Sequence, residues 1–315
     1  VFNKVKNRFK KNRIKILSRF QDLKLKSKID VTISAIPGLC GLEPTLEIMK
    51  SSRKILLANK ESIICGWHLI ERQALKNKTK IIPVDSEHFS ILKLLESHNL
   101  NEIKKIYITA SGGPFLEYKN YQFKKITPSQ AIKHPKWKMG KKISVDSSTF
   151  ANKVLELFEA KILFNLPSNK LGIKIESRSN THAIINLKNN IFFPIIHYPS
   201  MKIPIANCLE VNNEQKIKLN NLSSIYQDVD TKKFPLVRLG FYILKNCSSA
   251  GYIIFTVLNE RLVEKYLKNE VKYGEIVDKL VKLFKHNVLL KNAKKNIKNL
   301  KDIFDTIKYA KKIKL

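Results

Sequence analysis

Short apolar runs alternate with longer amphipathic stretches over the first hundred residues of the chain. The short runs are rich in β-branched residues and end at polar or Pro-Gly positions, which is typical of strands. The longer stretches have apolar residues three or four positions apart, which is typical of helices. The pattern predicts strands at 14–17, 29–36, 54–58 and 80–84, and helices at 1–12, 44–50 and 62–76. Strands that alternate with helices predict a parallel sheet in a doubly wound, Rossmann-like domain.

The pattern changes after residue 84 and again after residue 233. Strands are predicted at 103–110 and in two runs within 173–196 that are separated at 188–190, and helices at 90–96 and 148–164. Residues 211–233 are polar and weakly patterned, whereas helical spacing prevails from residue 234 onward. The predicted fold class is α/β, with a truncated doubly wound parallel-sheet domain (1–84), an α+β domain (85–210), a linker (211–233) and a C-terminal helical domain (234–315).

The composition is that of an ordinary globular protein. The chain has 315 residues, of which 43% are hydrophobic. Its apolar stretches fall well short of the roughly 20 residues that a membrane-spanning helix needs, and no cleavable signal pattern is visible. Four scattered cysteines form no Cys-x-x-Cys motif, which is typical of free thiols in a reducing compartment.

The net charge of +33 is the compositional feature that favours a different function, binding to nucleic acid. Lysine-rich surfaces attract phosphate polymers. The lysines are spread over nearly the whole chain among many Asn and Ile residues, however, and are not concentrated in one arm or stripe. A composition biased towards Lys, Asn and Ile is therefore the explanation that we favour.

Two carboxylates one residue apart, Asp85 and Glu87, follow the strand predicted at 80–84. Active sites of doubly wound sheets lie beyond the carboxyl ends of the strands. Carboxylate oxygens suit a hard divalent cation. Asp-x-Glu pairs are also common on solvated loops, so the spacing alone leaves both interpretations open.

A second set of polar residues suits an anion. Asn152 and Lys153 precede Glu156 by four and three residues, so all three project from one face of a predicted helix. Ser147 and Ser148 are expected at the amino-terminal end of this helix, where free N–H groups favour a phosphate. The alternative is a capped amphipathic helix whose polar face meets water.

Two further polar positions directly follow predicted strands. The segment Ser111-Gly112-Gly113 can bring its backbone close to an oxyanion, although an ordinary tight turn has the same composition. Lys60 can hydrogen-bond a substrate hydroxyl or carbonyl group, or else lie at a solvated helix start.

The strongly basic loop at 133–142 contains His134, Trp137 and Met139. Such a loop suits a flap that folds an aromatic face over a polar ligand and excludes water. A surface loop with one anchoring Trp is the alternative.

These segments occur in the order found in one enzyme family. The matching blocks are LANKES at 57–62, PVDSEH at 83–88, SGGPF at 111–115 and HPKWKMGKKISVDSSTFANKVLE at 134–156. Weaker similarity continues through MKIPI at 201–205 and Asn-Glu at 259–260. The chain resembles the 1-deoxy-D-xylulose 5-phosphate reductoisomerase family, NADPH-dependent enzymes of the methylerythritol phosphate route to isoprenoids.

The resemblance implies roles for the polar residues of these blocks. It implies that 1–84 is the remainder of an NADPH-binding domain and that 85–210 is a catalytic domain acting on a phosphorylated sugar. The implied ligands of Mg²⁺ or Mn²⁺ are Asp85, Glu87 and Glu156, and the implied catalytic residues are these three and Lys60. The implied NADPH contacts are Asn59, Glu61, Met139 and Gly140. The implied substrate contacts are Lys60, Ser86, Glu87, Ser111, His134, Trp137, Ser147, Asn152, Lys153 and Glu156.

The chain departs from the family in two places. The family's glycine-rich dinucleotide loop, of the type GSTGSIG, is absent, so negligible NADPH binding is expected of these 315 residues. Residues 175–182 also stray from the family's HPQS-like run. Because residue 1 is Val and the first Met is Met49, we expect the chain to begin inside a longer reading frame. An inactive remnant is the competing explanation.

The resemblance also implies a homodimer. The cysteine usage fits a bacterial cytoplasm, with a plastid as the alternative. Neither a membrane nor a nucleic acid is expected as a partner.

Overall fold

The computed structural model describes residues 2–10, 14–25, 27–137, 139–212 and 224–315. A three-stranded parallel sheet with the strand order β1-β2-β3 forms the first part of the fold. The elements of this part are α1 (Phe2–Arg8), β1 (Ile29–Ser34), α2 (Leu42–Met49), β2 (Ser52–Leu57), α3 (Lys60–Asn77) and β3 (Lys80–Pro83). The alternation of strands and helices confirms the predicted parallel α/β arrangement.

The predicted strand at 14–17 is wrong, because these residues have no regular structure. Within the described chain, β1 is an edge strand that pairs with β2 alone. A four-residue apolar run without a neighbouring strand has no partner for its backbone groups. The helix predicted at 1–12 spans Phe2–Arg8, and residues 1, 11 and 12 lie outside the described residues.

A second sheet has five strands in the order β7-β6-β4-β5-β8. Its strands are β4 (Ile103–Ala110), β5 (Leu171–Ile175), β6 (Thr181–Leu187), β7 (Phe192–Ile196) and β8 (Gln227–Asp228). β4 and β5 are parallel, and the other neighbouring pairs are antiparallel. The predicted break at 188–190 is confirmed, but a loop at 176–180 divides the first of the two predicted runs. β8 lies in the predicted linker, of which 213–223 lie outside the described residues.

Five α-helices of the described residues belong to this middle part of the chain. They are α4 (Ser86–Ser97), α5 (Pro128–Ala131), α6 (Lys141–Ser148), α7 (Ala151–Leu163) and α8 (Lys202–Leu209). Two of them, α4 and α7, pack against the second sheet. The helix predicted at 148–164 is α7, and the separate helix α6 precedes it. Phe150 divides the two helices with a φ of +64°, a left-handed conformation that a helix interior does not adopt. Its buried ring packs 4.3 Å from the ring of Phe234, and this packing holds the unusual backbone in place.

The last part of the chain is helical, as its spacing predicts. The helices are α9 (Pro235–Asn246), α10 (Ser249–Leu267), α11 (Tyr273–Leu283), α12 (Asn287–Ala293) and α13 (Leu300–Lys312). The central helix α10 packs against α3, α7, α11, α12 and α13, so its longest apolar run is core. No helix in the described part of the chain is long and apolar enough to cross a membrane.

Candidate active site

Three carboxylates from two helices meet beyond the carboxyl end of β3. Asp85 immediately precedes α4, Glu87 lies in the first turn of α4, and Glu156 lies in the second turn of α7. One oxygen from each can be chosen such that all three lie within 4.8 Å of one another. The Asp85 side chain accepts a hydrogen bond from the Glu87 N–H at 3.4 Å. This helix cap fixes the two acids of α4 relative to each other.

Two lysines lie between the three carboxylates. Lys60, the first residue of α3, places Nζ 3.0 Å from Asp85 Oδ2 and 3.5 Å from Glu156 Oε1. Lys153 Nζ donates to Glu156 Oε2 at 2.6 Å and also to the Glu87 carboxylate. Buried acids need such nearby positive charge, because an unpaired charge in the interior is strongly destabilising.

The crowding of these groups changes their protonation. Burial and then the charge of Glu156 raise the pKa of Glu87 to about 8. Burial alone would raise the pKa of Asp85, but the Lys60 ammonium holds that pKa well below its usual range. Burial alone would lower the pKa of Lys60, but Asp85 and Glu156 raise it well above its usual range. An added cation would therefore act most strongly on Glu87.

A buried imidazole, His88, lies behind the carboxylates. Its Nε2 lies 3.0 Å from the backbone oxygen of Glu156, so Nε2 must have a proton to donate. Its Nδ1 lies 3.3 Å from Glu159 Oε2 and 3.6 Å from Asp85 Oδ1. Burial alone would lower the pKa of His88, but Glu159 and Asp85 raise it to about 9. His88 therefore connects α4 to α7 through the backbone oxygen of Glu156 and lies beside the carboxylates of Glu159 and Asp85.

Hydroxyl and imidazole groups line the same cavity, which has a volume of about 250 Å³. Ser111 Oγ lies 3.1 Å from His134 Nε2 and accepts from the Gly113 N–H at 3.2 Å. His134 Nδ1 accepts from the Trp137 N–H at 2.9 Å. Burial and then Lys153 lower the pKa of His134 to about 4, so the ring is neutral with its proton on Nε2. Ser111 Oγ thus accepts two hydrogen bonds, and its own proton remains for a ligand.

The prediction that Ser147 and Ser148 begin a helix is wrong, because they are the last two residues of α6. The left-handed Phe150 separates them from α7, so the free N–H groups at the start of α7 are not theirs. Ser147 lines the cavity. Ser148 Oγ donates to the Val145 oxygen at 2.7 Å and accepts from the Tyr273 hydroxyl at 3.1 Å, so it faces the core.

A glycine brings Ser111 and Ser147 into the same wall of the cavity. Gly113 has a φ of +68°, and a Cβ at this position would stand 3.2 Å from the Ser147 oxygen. Only glycine combines this conformation with so close an approach. The segment after β4 therefore lies directly on the end of α6.

Most of the predicted site residues line the cavity, but three do not. Those that line it are Lys60, Asp85, Ser86, Glu87, Ser111, His134, Trp137, Met139, Ser147, Asn152, Lys153 and Glu156. Asn59 caps α3 by accepting from the Ser62 N–H at 2.6 Å. Glu61 forms an ion pair with Lys142 at 3.1 Å. Gly140 precedes α6, and a Cβ at this position would meet no atom within 4 Å.

Sequence reasoning missed a group of lining residues that the second sheet supplies. These are Thr109, Ser179, Thr181 and His182. The His182 ring stacks on His197 with centroids 3.7 Å apart, and the Trp137 ring meets it edge-on at 6.2 Å. Burial and then His197 lower the pKa of His182 to about 3. The sequence has no local signal for them, because the order of the strands in the fold places the end of β4 beside the start of β6.

The fold and this cavity define an α/β protein with a candidate active site beyond the ends of parallel strands. Three family models match the chain: 1-deoxy-D-xylulose 5-phosphate reductoisomerase at residues 2–66, the C-terminal domain of that enzyme at residues 81–164, and the DXP reductoisomerase C-terminal domain at residues 196–313. The chain belongs to the 1-deoxy-D-xylulose 5-phosphate reductoisomerase family.

Relatives and solved structures agree with this family. The reductoisomerase of Pelagibacter ubique (strain HTCC1062) is 41% identical over 289 residues, which are 87% of this chain and 73% of that protein. The reductoisomerase of Francisella tularensis subsp. holarctica (strain FTNF002-00 / FTA) is 37% identical over 89% of this chain and 73% of that protein. A crystal structure of DOX-P reductoisomerase in complex with NADPH, fosmidomycin and magnesium has a TM-score of 0.83 at 30% identity, over 91% of this chain and 75% of that one. The structure of the enzyme from Zymomonas mobilis in complex with NADPH has a TM-score of 0.78 at 29% identity, over 89% of this chain and 73% of that one.

Proposed function

We propose that the protein converts 1-deoxy-D-xylulose 5-phosphate to 2-C-methyl-D-erythritol 4-phosphate, using NADPH and a divalent metal ion, in isoprenoid precursor biosynthesis. The observation that supports this most strongly is the convergence of Asp85, Glu87 and Glu156 within 4.8 Å, next to the Lys153 ammonium. Membership of the family supports it independently, as does the similar structure determined with NADPH, fosmidomycin and magnesium.

The three carboxylates fit a divalent cation, and we assign Asp85, Glu87 and Glu156 as its ligands. Their oxygens are the donors that Mg²⁺ and Mn²⁺ prefer. Burial and Glu156 raise the pKa of Glu87 to about 8, and a bound cation would favour the ionised form of this side chain. When bound, the ion supplies Lewis-acid stabilisation of negative charge on the substrate oxygens during the rearrangement.

The proposed phosphate pocket consists of Ser111, Ser147, Asn152 and Lys153. Burial alone would lower the pKa of Lys153, but the carboxylates of Glu156 and Glu87 raise it, so the side chain is an ammonium. The Ser111 proton is available for a phosphate oxygen, because Ser111 Oγ already accepts two hydrogen bonds. Binding of the phosphate at this end orients the sugar over the carboxylates.

Lys60 and Ser86 are the proposed contacts for the sugar oxygens. Lys60 remains protonated between Asp85 and Glu156, so it donates hydrogen bonds to a substrate hydroxyl or carbonyl. Ser86 Oγ donates to Glu87 Oε2 at 2.6 Å, and its lone pairs can accept from a substrate hydroxyl. The rearrangement breaks one carbon–carbon bond and forms another, and the resulting aldehyde takes up a hydride and a proton.

The nicotinamide end of NADPH is proposed to contact Asn59, Glu61, Met139 and Gly140. Met139 supplies an apolar surface in the cavity, and open space lies next to Gly140. The glycine-rich dinucleotide loop is not among the 315 residues, so the proposal concerns the nicotinamide end alone. His134 and Trp137, from the loop before α6, are proposed to cover the bound substrate.

The test of this function is the oxidation of NADPH in the presence of 1-deoxy-D-xylulose 5-phosphate and Mg²⁺ by a protein that joins these residues to a glycine-rich dinucleotide loop, which the 315 residues do not contain. Turnover that requires all three components is expected. Absence of turnover in such a complete, folded protein would contradict the proposal. If that protein also failed to bind Mn²⁺ and fosmidomycin, it would fit the alternative of an inactive remnant.

Nucleic-acid binding is the second candidate, and only the net charge of +33 favours it. Specific binding to one RNA or DNA at physiological salt would support it. Binding that disappears as salt rises would indicate nonspecific attraction to phosphates.

We also propose a homodimer that forms through the edge strand β7. Phe192 and Phe193 on this strand are 54% and 37% exposed, and Ile191 beside them is 51% exposed. An apolar edge strand readily pairs with another chain. Phe192→Lys should therefore shift the mass measured by light scattering from dimer to monomer, whereas Val288→Lys, at an exposed site on α12, should not. A wild-type monomer would contradict the proposal.

Three finer assignments are also proposals. They are the domain bounds 1–84, 85–210, 211–233 and 234–315, Mn²⁺ as an alternative metal, and a bacterial cytoplasm. The four cysteines are all free thiols, and the relatives named above are bacterial, which supports that compartment. Limited proteolysis that cuts first within 211–233 would support the bounds.

A further inference from the structure

The loop 176–180, between β5 and β6, is wound around a single buried carboxylate. Glu176 Oε1 accepts a hydrogen bond from the Arg178 N–H at 2.8 Å. Its Oε2 accepts from the Asn180 N–H at 2.7 Å and from the Thr181 N–H at 3.1 Å. Hydrogen bonds to a carboxylate are shorter and stronger than those between neutral groups. One side chain therefore fixes the backbone of the whole loop.

The neighbouring strands hold both ends of this loop. The Glu176 N–H donates to the oxygen of the last residue of β4 at 2.8 Å. Thr109 Oγ1 donates to the Thr181 oxygen, and the His197 N–H donates to the Asn180 oxygen at 2.8 Å. The sheet thus sets the position of the loop, and the carboxylate sets its conformation.

The loop brings Ser179 to the cavity in an unusual conformation. Ser179 has a φ of +59°, which is uncommon for a residue other than glycine. Such a conformation persists where the surrounding structure over-determines it. Ser179 lines the cavity, and its buried Oγ has no hydrogen-bond partner among the described residues. A buried hydroxyl of this kind has unused hydrogen-bonding capacity for a ligand.

We propose that Glu176 is a positioning residue of the active site, which holds the loop so that the Ser179 hydroxyl can hydrogen-bond the bound substrate. This inference rests on the proposed function. Glu176 is not among the lining residues of the cavity, so its effect on a ligand passes through the loop.

A double-mutant cycle tests the connection between the two residues. Binding of 1-deoxy-D-xylulose 5-phosphate with Mg²⁺ is measured by calorimetry for the wild type, Glu176→Gln, Ser179→Ala and the double variant. Glu176→Gln loses one acceptor oxygen and places an amide NH₂ against N–H donors, so binding should weaken about tenfold. The double variant should bind no more than about twofold more weakly than either single variant, because both changes remove the same contact. Additive losses, or unchanged binding by Glu176→Gln, would overturn the proposal.

Amide hydrogen exchange tests the role of Glu176 without ligand or turnover. In Glu176→Gln the N–H groups of Arg178, Asn180 and Thr181 should exchange at least about tenfold faster than in the wild type. The amides of β4 should be unchanged. Equal exchange of the loop in both proteins would overturn the proposal even if the substrate did not bind, so failure of the proposed function is a separate outcome.

Glu275→Gln is the matched control. The Glu275 carboxylate also accepts a backbone hydrogen bond, from the Lys272 N–H at 2.7 Å, but it lies at the start of α11 and does not line the cavity. This variant should lose thermal stability without a change in substrate binding or in loop exchange. The same weakening of binding in this control would show that Glu176 acts through general stability alone, and the proposal would then be wrong.

Discussion

Two walls of the cavity are built in different ways. In the wall formed by α4 and α7, helix starts and helix spacing place Asp85, Glu87 and Glu156, and two lysines lie between these acids. In the wall formed by the loop 176–180, backbone N–H groups surround one carboxylate, Glu176. The first wall supplies the charges that the proposed chemistry needs, and the second supplies shape and one hydroxyl. The comparison predicts that changes in the first wall have larger effects on the reaction than changes in the second wall.

The largest effect is expected from Glu156→Gln in the first wall. The amide oxygen is a neutral and weaker metal ligand than the carboxylate oxygen, so NADPH oxidation should fall by at least about a thousandfold. The melting temperature should stay close to that of the wild type. Glu264→Gln, at an exposed ion pair with Lys268 on α10, is the control and should retain full activity. Near-normal turnover of Glu156→Gln at saturating Mg²⁺ would show that the carboxylates have another role.

A smaller effect in the same wall is expected from Lys153→Met. The ammonium is both the proposed phosphate contact and the cation between Glu87 and Glu156. Its removal costs a charge-assisted hydrogen bond and leaves two acids facing each other, so KM should rise about a hundredfold. Lys161→Met, in the last turn of the same helix, should leave KM unchanged because Lys161 does not line the cavity. Equal KM values for both variants would contradict the phosphate assignment.

The first wall could be predicted from the sequence because its signals are local. The spacing of Asn152, Lys153 and Glu156 places them on one face of a helix wherever that helix lies, and the structure has them on one face. The prediction that Ser147 begins a helix is wrong because Phe150 adopts a left-handed conformation and separates α6 from α7. Phe150 is not a helix-breaking residue type, and its tertiary packing explains this conformation.

The second wall could not be predicted because its determinants are distant in the sequence or invisible in residue type. An acid such as Glu176 is usually exposed, and nothing in its neighbours indicates that three backbone N–H groups will surround it. The strand order of the second sheet brings such groups together, and the strand pattern alone does not give that order.

The smallest effect is expected at His182, which follows the loop of the second wall. Its pKa is about 3 in the folded protein against an ordinary 6.5, so the unfolded chain binds more protons between these values. The stability from this neutral ring is therefore fully present above about pH 6.5 and is lost as the pH falls towards 3. When the pH falls from 7.5 to 5, the free energy of unfolding of the wild type should decrease by about 2 kcal/mol more than that of His182→Gln. Urea unfolding at both pH values measures this difference, and a constant difference would show that His182 is not held neutral.

Diffraction from crystals soaked in Mn²⁺, at a wavelength where manganese scatters anomalously, tests the metal assignment most directly. We predict one strong peak among Asp85, Glu87 and Glu156, about 2.0–2.2 Å from an oxygen of each, and its loss in Glu156→Gln. A fully occupied peak elsewhere, or none at these three residues in crystals of the active protein, would contradict the metal-assisted function proposed for this cavity.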